Sequence, residues 1–194
     1  VPAASPIQDM KGLIEALKKD PGAVSWAGGS AGGTDHIAVG LIAKAAGVDP
    51  TKINYIAYSG GGEALAAILG NQVTAGISSV GEFEAQVKAG TLRLLAVSAP
   101  ERIAGVEAPT LKESGLDVEL QNWRMVAAAP GLTDEQKAKV SGDIEKMVKS
   151  ENWQKQLADK GWSDTYLSGA EFDAQLAKDE AATAAVLKDI GLVK

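Results

Sequence analysis

Four glycines, Gly28, Gly29, Gly32 and Gly33, separate a short, largely apolar run at residues 24–27 from an apolar stretch that opens at Thr34. The chemistry such a loop can do is anion binding. Backbone N–H groups that carry no side chain can converge on a ligand, and the helix start that follows adds unpaired donors and the positive end of its dipole. Thr34 or Asp35 is expected to cap that helix. A tight strand-to-helix turn that binds nothing is the plain alternative.

The same residues must be weighed against catalysis. Gly28-Gly29-Ser30-Ala31-Gly32 matches G-x-S-x-G, the nucleophile elbow of hydrolases. A hydrolase of that order needs a histidine base far downstream, and the one histidine, His36, lies six residues after Ser30. The loop lacks the lysine of a P-loop, because Thr34 follows Gly33 directly, and it lacks G-x-G-x-x-G spacing. An enzyme using the glycine loops as an oxyanion or phosphate cradle stays open only as a reading without a base.

Two later segments repeat the arrangement. Residues 53–58 read as a buried strand ending in Ser59-Gly60-Gly61-Gly62, and a helix follows from Glu63. Residues 73–77 deliver Ser78-Ser79 to a helix beginning near Glu82-Phe83. Those hydroxyls are either ligand donors or ordinary helix caps. Residues 92–97 read as a fourth strand. Strand, loop and helix repeated in this way require a parallel sheet with helices on its faces, and ligands bind at the carboxyl ends of such strands.

The remaining elements frame that sheet. Met10, Leu13, Ile14 and Leu17 recur at helical spacing, with Ser5-Pro6 read as a cap and first turn and Asp20-Pro21-Gly22 as the stop. Residues 118–127 read as a long strand broken by polar residues. After Pro130-Gly131 the chain turns helical: one helix opens at Thr133 and aligns Val140, Ile144, Met147 and Val148, and a second carries Trp153 and Leu157. A short strand at residues 162–166 then leads to Ser168, the expected cap of a last helix with Phe172, Leu176, Thr183, Leu187 and Ile190 near one face.

Composition narrows the function classes. The 194 residues are 45% hydrophobic and 23% charged, as in a globular protein, and no run is long enough to span a bilayer. Nineteen basic against twenty-five acidic residues give a net charge of −6 without a basic stripe, which argues against nucleic acid as a partner. With no cysteine and one histidine, disulfides, thiol chemistry and a zinc site are not expected, and no cofactor is implied.

Taken in order, these stretches resemble the extracytoplasmic solute-binding proteins of the tripartite tricarboxylate transporter family, especially the tricarboxylate-binding branch. The resemblance rests on residues 28–36, on Tyr58-Ser59-Gly60-Gly61-Gly62-Glu63-Ala64-Leu65 with Gly70-Asn71-Gln72-Val73, and on Ser78-Ser79-Val80-Gly81-Glu82-Phe83. Residues 88–98 and Asn122-Trp123-Arg124 with Ala129-Pro130-Gly131 extend it nearly end to end. It implies an α/β fold of the type II periplasmic-binding-protein kind, two hinged domains that close on a small carboxylate. Residues 1–118 would form the second domain and residues 119–194 the returning part of the first.

Members normally carry a signal peptide and a βαβ portion before a segment like residues 1–6, so the sequence is expected to be the C-terminal portion of a longer periplasmic protein. Hinge crossings are expected near Val1 and at residues 119–124, with Trp123 buried and Arg124 at the surface, the alternative being that both sit at the mouth of the cleft. The implied partners are a di- or tricarboxylate, citrate-like, and integral-membrane permease subunits. A clamshell sensing an effector for a signalling partner is the alternative. The expected ligand-binding residues are Gly29, Ser30, Gly32, Gly33 and Thr34 from the first loop, Ser59 and Gly60 from the second, and Ser78 and Ser79 from the third. Many members have lysine where this chain has Ser59, and Asp-Asn where it has Ser78-Ser79, so family specificity does not carry over there.

Overall fold

The computed structural model describes residues 1–193, which divide into two compact units: Val1–Asn122 with residues 181–193, and Trp123–Glu180. The first unit begins with α1 (Met10–Lys19). It starts later than Ser5-Pro6 suggests because Asp9 is the cap, its carboxylate accepting from the Gly12 N–H at 2.8 Å. Met10, Leu13 and Leu17 are buried as their spacing predicts.

A parallel three-stranded sheet follows, in the order β2 (Asn54–Ala57), β1 (Ser25–Gly28), β3 (Ala75–Gly76). Successive residues of a strand face opposite sides, and the two central positions of β1 show it. Trp26 packs with α1 and with α2 (Thr34–Ala45), whereas Ala27 packs with α3 (Gly61–Leu69) and with Phe83 of α4 (Val80–Lys88). Helices therefore cover both faces. The register pairs Gly28 with Ala57 and Ala27 with Gly76, so all three strands end at nearly one level.

Several expected strands are corrected. Residues 53–58 do not form a buried strand: β2 has a neighbour on one side only, and Asn54, Ile56 and Ala57 are exposed. Residues 73–77 shorten to the two-residue β3. Residues 92–97 make a single ladder pair at each end, Leu92 with Pro2 and Val97 with Thr110, and form no strand. Arg93 instead staples the N-terminal segment, its guanidinium donating to the carbonyls of Ala3 at 3.0 Å and Ile7 at 3.2 Å. Residues 118–127 and 162–166 are not strands either, because no neighbouring strand lies beside them among the described residues to take up their N–H and C=O groups. Leu120 is pinned by Ser98, whose carbonyl accepts its N–H at 3.0 Å and whose hydroxyl donates to its carbonyl at 2.7 Å.

The second unit contains α5 (Asp134–Val148) and α6 (Glu151–Lys160). Thr133 and Gln136 form a reciprocal capping box on α5, and Ser150 caps α6 through the Trp153 N–H. Of the four aligned apolar residues of α5, Val148 is buried and Ile144 half-buried, while Val140 and Met147 are exposed. Trp123 is not the buried residue expected at a hinge: it is 36% exposed, donates from Nε1 to Asp179 at 2.8 Å and meets Phe172 edge-on.

The boundary between units falls within the last helix, α7 (Gly169–Asp189). Its C-terminal part belongs to the first unit, where Val186 and Ile190 bury Ile37 of α2. Gly40 makes that approach possible, since a β-carbon there would lie 2.6 Å from Ile190 Cγ2. Lys44 and Asp189 close the same contact with an exposed ion pair.

Candidate functional site

The carboxyl ends of β1, β2 and β3 each deliver a polar loop to the N-terminus of a helix, α2, α3 and α4 respectively. Gly29, Ser30, Gly32, Gly33 and Thr34, then Ser59 and Gly60, then Ser78 and Ser79 all lie on these three loops, on one edge of the sheet. The close register of the strand ends is what brings them together. Gly32 adopts the left-handed backbone conformation, φ 75°, that glycine tolerates at little cost.

The first loop is held by the side chains around it. Asp35 does not cap α2. The cap position is Gly33, and the Asp35 carboxylate instead turns back to accept the Gly29 N–H at 2.8 Å. Tyr55 on β2 donates its hydroxyl to the Gly29 carbonyl at 2.7 Å. His36 stacks flat on Tyr55, ring centres 4.2 Å apart, and its Nδ1 accepts the Gly32 N–H at 3.1 Å. Gly33 N–H bonds to the Ser30 carbonyl at 2.9 Å, and Thr34 donates its hydroxyl to Asn122 Oδ1 at 3.3 Å rather than capping the helix.

Gly28 has to be glycine for packing. A β-carbon there would stand 2.4 Å from the Tyr55 oxygen and 2.9 Å from Asp35 Cβ.

The other two loops repeat one device. The Ser59 N–H donates to the Glu63 carboxylate at 3.1 Å, and the Ser78 hydroxyl donates to the Glu82 carboxylate. In both, a glutamate in the first turn of the helix reaches back four residues to a loop donor. Ser79 occupies the cap position of α4 without a side-chain cap bond. The Glu82 carboxyl group also lies against Gly61, the first residue of α3, where a β-carbon would be within 2.4–2.5 Å of its atoms.

Burial sets the ionisation of the first loop. It raises the Asp35 carboxyl above its ordinary value, partly offset by the Gly29 N–H and reinforced by the negative charge of Glu82. It lowers His36 and raises Tyr55, the latter further raised by Asp35. His36 is thus a neutral acceptor at neutral pH, and among the described residues it makes no hydrogen bond with Ser30. Among the described residues no three histidine or acidic side chains group as they would around a metal ion, and no helix is long and apolar enough to cross a membrane.

Sequence reasoning missed Tyr55, Glu63 and Glu82 as parts of the site. For the glutamates a signal existed: each stands four residues after a loop serine, at the start of a helix.

The model of one protein family, described as the tripartite tricarboxylate transporter family receptor, matches residues 1–192. Among curated proteins the chain is 30% identical to Protein BugT of Bordetella pertussis over 129 residues, 66% of this chain and 39% of that protein. It is 28% identical over 151 residues to a UPF0065 protein of Pseudomonas sp., 76% of this chain and 44% of the relative.

Solved structures agree in fold. A TctC solute-binding protein from Polaromonas, without ligand, superposes with a TM-score of 0.78 at 28% identity, covering 97% of this chain and 64% of that one. A protein of R. palustris solved with adipate gives 0.83 at 22% identity, covering 98% and 64%. MatC from Rhodopseudomonas palustris, solved with bound malate, gives 0.67 at 17% identity, covering 100% and 64%. The chain spans less than half the length of the curated relatives and about two thirds of these solved chains. With a receptor-family model covering it almost from end to end, and with the parallel sheet and loop-bearing strand ends of such a fold, this chain belongs to the tripartite tricarboxylate transporter receptor family.

Proposed function

We propose that this chain is part of a periplasmic solute-binding receptor that captures a small di- or tricarboxylate and delivers it to membrane permease subunits. The observation that carries this reading is the meeting of three loops and three helix N-termini at one edge of a parallel sheet, in a chain of a receptor family. The adipate and malate named for two proteins of the same fold support a carboxylate as the ligand class. Gly29, Ser30, Gly32, Gly33 and Thr34 would hold one carboxylate once it replaces the acceptors these donors now meet, Asp35, His36, the Ser30 carbonyl and Asn122, with Ser59, Gly60, Ser78 and Ser79 facing the rest of the ligand. Capture by backbone amides and hydroxyls suits a chain with three arginines, of which Arg93 is committed to backbone carbonyls. The reaction is binding and release, with no bond made or broken.

Calorimetric titration of the full-length protein carrying this sequence, with malate, adipate, citrate and a neutral sugar, tests the reading. One or more carboxylates are expected to bind at one site per chain, and the sugar not to bind. Failure of every carboxylate to bind overturns the proposal.

A further inference from the structure

We propose that His36 is a ligand residue of this site: the incoming carboxylate takes the Gly32 N–H from the imidazole, which then gains a proton from solvent and becomes the carboxylate's cationic partner. The assignment rests on the carboxylate-receptor reading of the first loop and adds to it a residue and a proton.

The Gly32 N–H points at His36 Nδ1, 3.1 Å away. Nδ1 therefore presents a lone pair, and the ring proton sits on Nε2. A ligand oxygen that accepts this N–H must come to rest beside Nδ1, because donor and ring nitrogen face each other across a single hydrogen bond. Two lone pairs would then oppose one another. The ring escapes that repulsion either by turning aside or by taking a proton.

Turning is opposed by what surrounds the ring. It lies flat on Tyr55, with an interplanar angle of 1° and centres 4.2 Å apart. Tyr55 is held in turn by its hydroxyl on the Gly29 carbonyl at 2.7 Å and by the pairing of its backbone with Trp26. Protonation instead makes Nδ1 a donor to the carboxylate, a charge-assisted bond in a half-buried position. Before the ligand arrives the same proton is disfavoured. Nδ1–H would meet the Gly32 N–H head on, and burial lowers the basicity of the ring.

The groups around the ring leave this role to His36. Tyr55 on β2 stays neutral, burial and the charge of Asp35 raising its hydroxyl further. Asp35 on α2 faces Gly29, and Glu82 of α4 adds negative charge to it. Leu187 of α7, and Leu192 beyond it, bring only apolar atoms toward Gly32. Among the described residues no ion pair joins a lysine or arginine to Asp35, Glu63 or Glu82. His36, the one histidine, is the side chain of this loop that can supply positive charge near neutral pH.

The test follows the proton. Malate, adipate and citrate are titrated calorimetrically into the full-length protein at about pH 6, about pH 7 and about pH 8, each in two buffers of different ionisation heat. Wild type, His36→Asn, Asp35→Asn and the control Glu15→Gln are compared, with thermal unfolding used to check that each is folded. Asn keeps an acceptor for the Gly32 N–H but takes no proton. Protons exchanged by the ligand itself are the same for every variant and cancel in the comparison. Wild type and Glu15→Gln are expected to take up a fraction of a proton more per ligand bound than His36→Asn. Their advantage in affinity over His36→Asn is expected to grow about tenfold from the highest pH to the lowest. In wild type, an NMR titration is expected to show the His36 ring keeping its added proton to higher pH in the complex than in the free protein. Equal uptake in wild type and His36→Asn, uptake that only Asp35→Asn removes, or a His36 titration that ligand leaves unmoved or lowers overturns the assignment and leaves the receptor reading standing. If malate, adipate and citrate all fail to bind, the receptor reading falls and this assignment with it.

Discussion

Asp35 and His36 are adjacent in the chain, and burial drives both toward their neutral forms while opposite charge types give opposite consequences for pH. The Asp35 carboxyl is raised above its ordinary 3.8, so the stability it contributes is full below 3.8 and is lost as pH rises through the raised value. His36 is lowered from 6.5, so its contribution is full above 6.5 and is lost as pH falls through the lowered value. Asp35→Asn keeps an acceptor for the Gly29 N–H without the buried charge. Chemical denaturation is expected to show the variant gaining on wild type as pH rises from 4 toward 7; a constant difference would refute it. An NMR titration is expected to place His36 below 6.5, with the Gly32 amide shifting in the same transition because its acceptor is being protonated. Gly28→Ala forces a β-carbon onto the Tyr55 oxygen and is expected to cost about 1–3 kcal/mol in urea unfolding.

The helices form where their spacing places them, although the expected caps of α1 and α2 are corrected, and the strands do not. The opening of α5 at Thr133 and the Asp20 stop of α1 were legible because a cap is satisfied within a few residues of itself. Thr133→Ala is expected to destabilise α5 by about 1 kcal/mol, seen as faster amide exchange in its first turn. The docking of α7 on α2 was not legible, because nothing near Gly40 in sequence announces Ile190. Gly40→Val is expected to free the end of α7, raising amide exchange at residues 186–190 and lowering stability by about 1–3 kcal/mol, while α1 keeps its protection. Leu17, fully buried on α1, provides the comparison: Leu17→Ala is expected to cost about 2–5 kcal/mol across the unit.

At the scale of the molecule, the proposed capture of a ligand is a stability statement. A carboxylate present at a hundred times its Kd is expected to stabilise the full-length protein by about 2.7 kcal/mol, read as a rise in melting temperature that a neutral sugar does not produce. The order of motifs from Gly28 to Arg124 identified the family from sequence alone, and the recurring glycine and serine loops placed the candidate site, because those signals are written in consecutive residues. The helices were determined in the same way, since their hydrogen bonds close within the segment that makes them. Whether an apolar run becomes a strand depends on what lies beside it. Among the described residues, 118–127 and 162–166 carry strand-like patterns and lack a neighbouring strand, residues 92–97 pair only at their two ends, and residues 54–57 have a neighbour on a single side. The loop donors follow the same logic. Sequence marks Gly29, Ser59 and Ser78 as able to hold an anion, and only the tertiary structure decides that Asp35, Glu63 and Glu82 reach them, because a hydrogen bond is settled by distance in space.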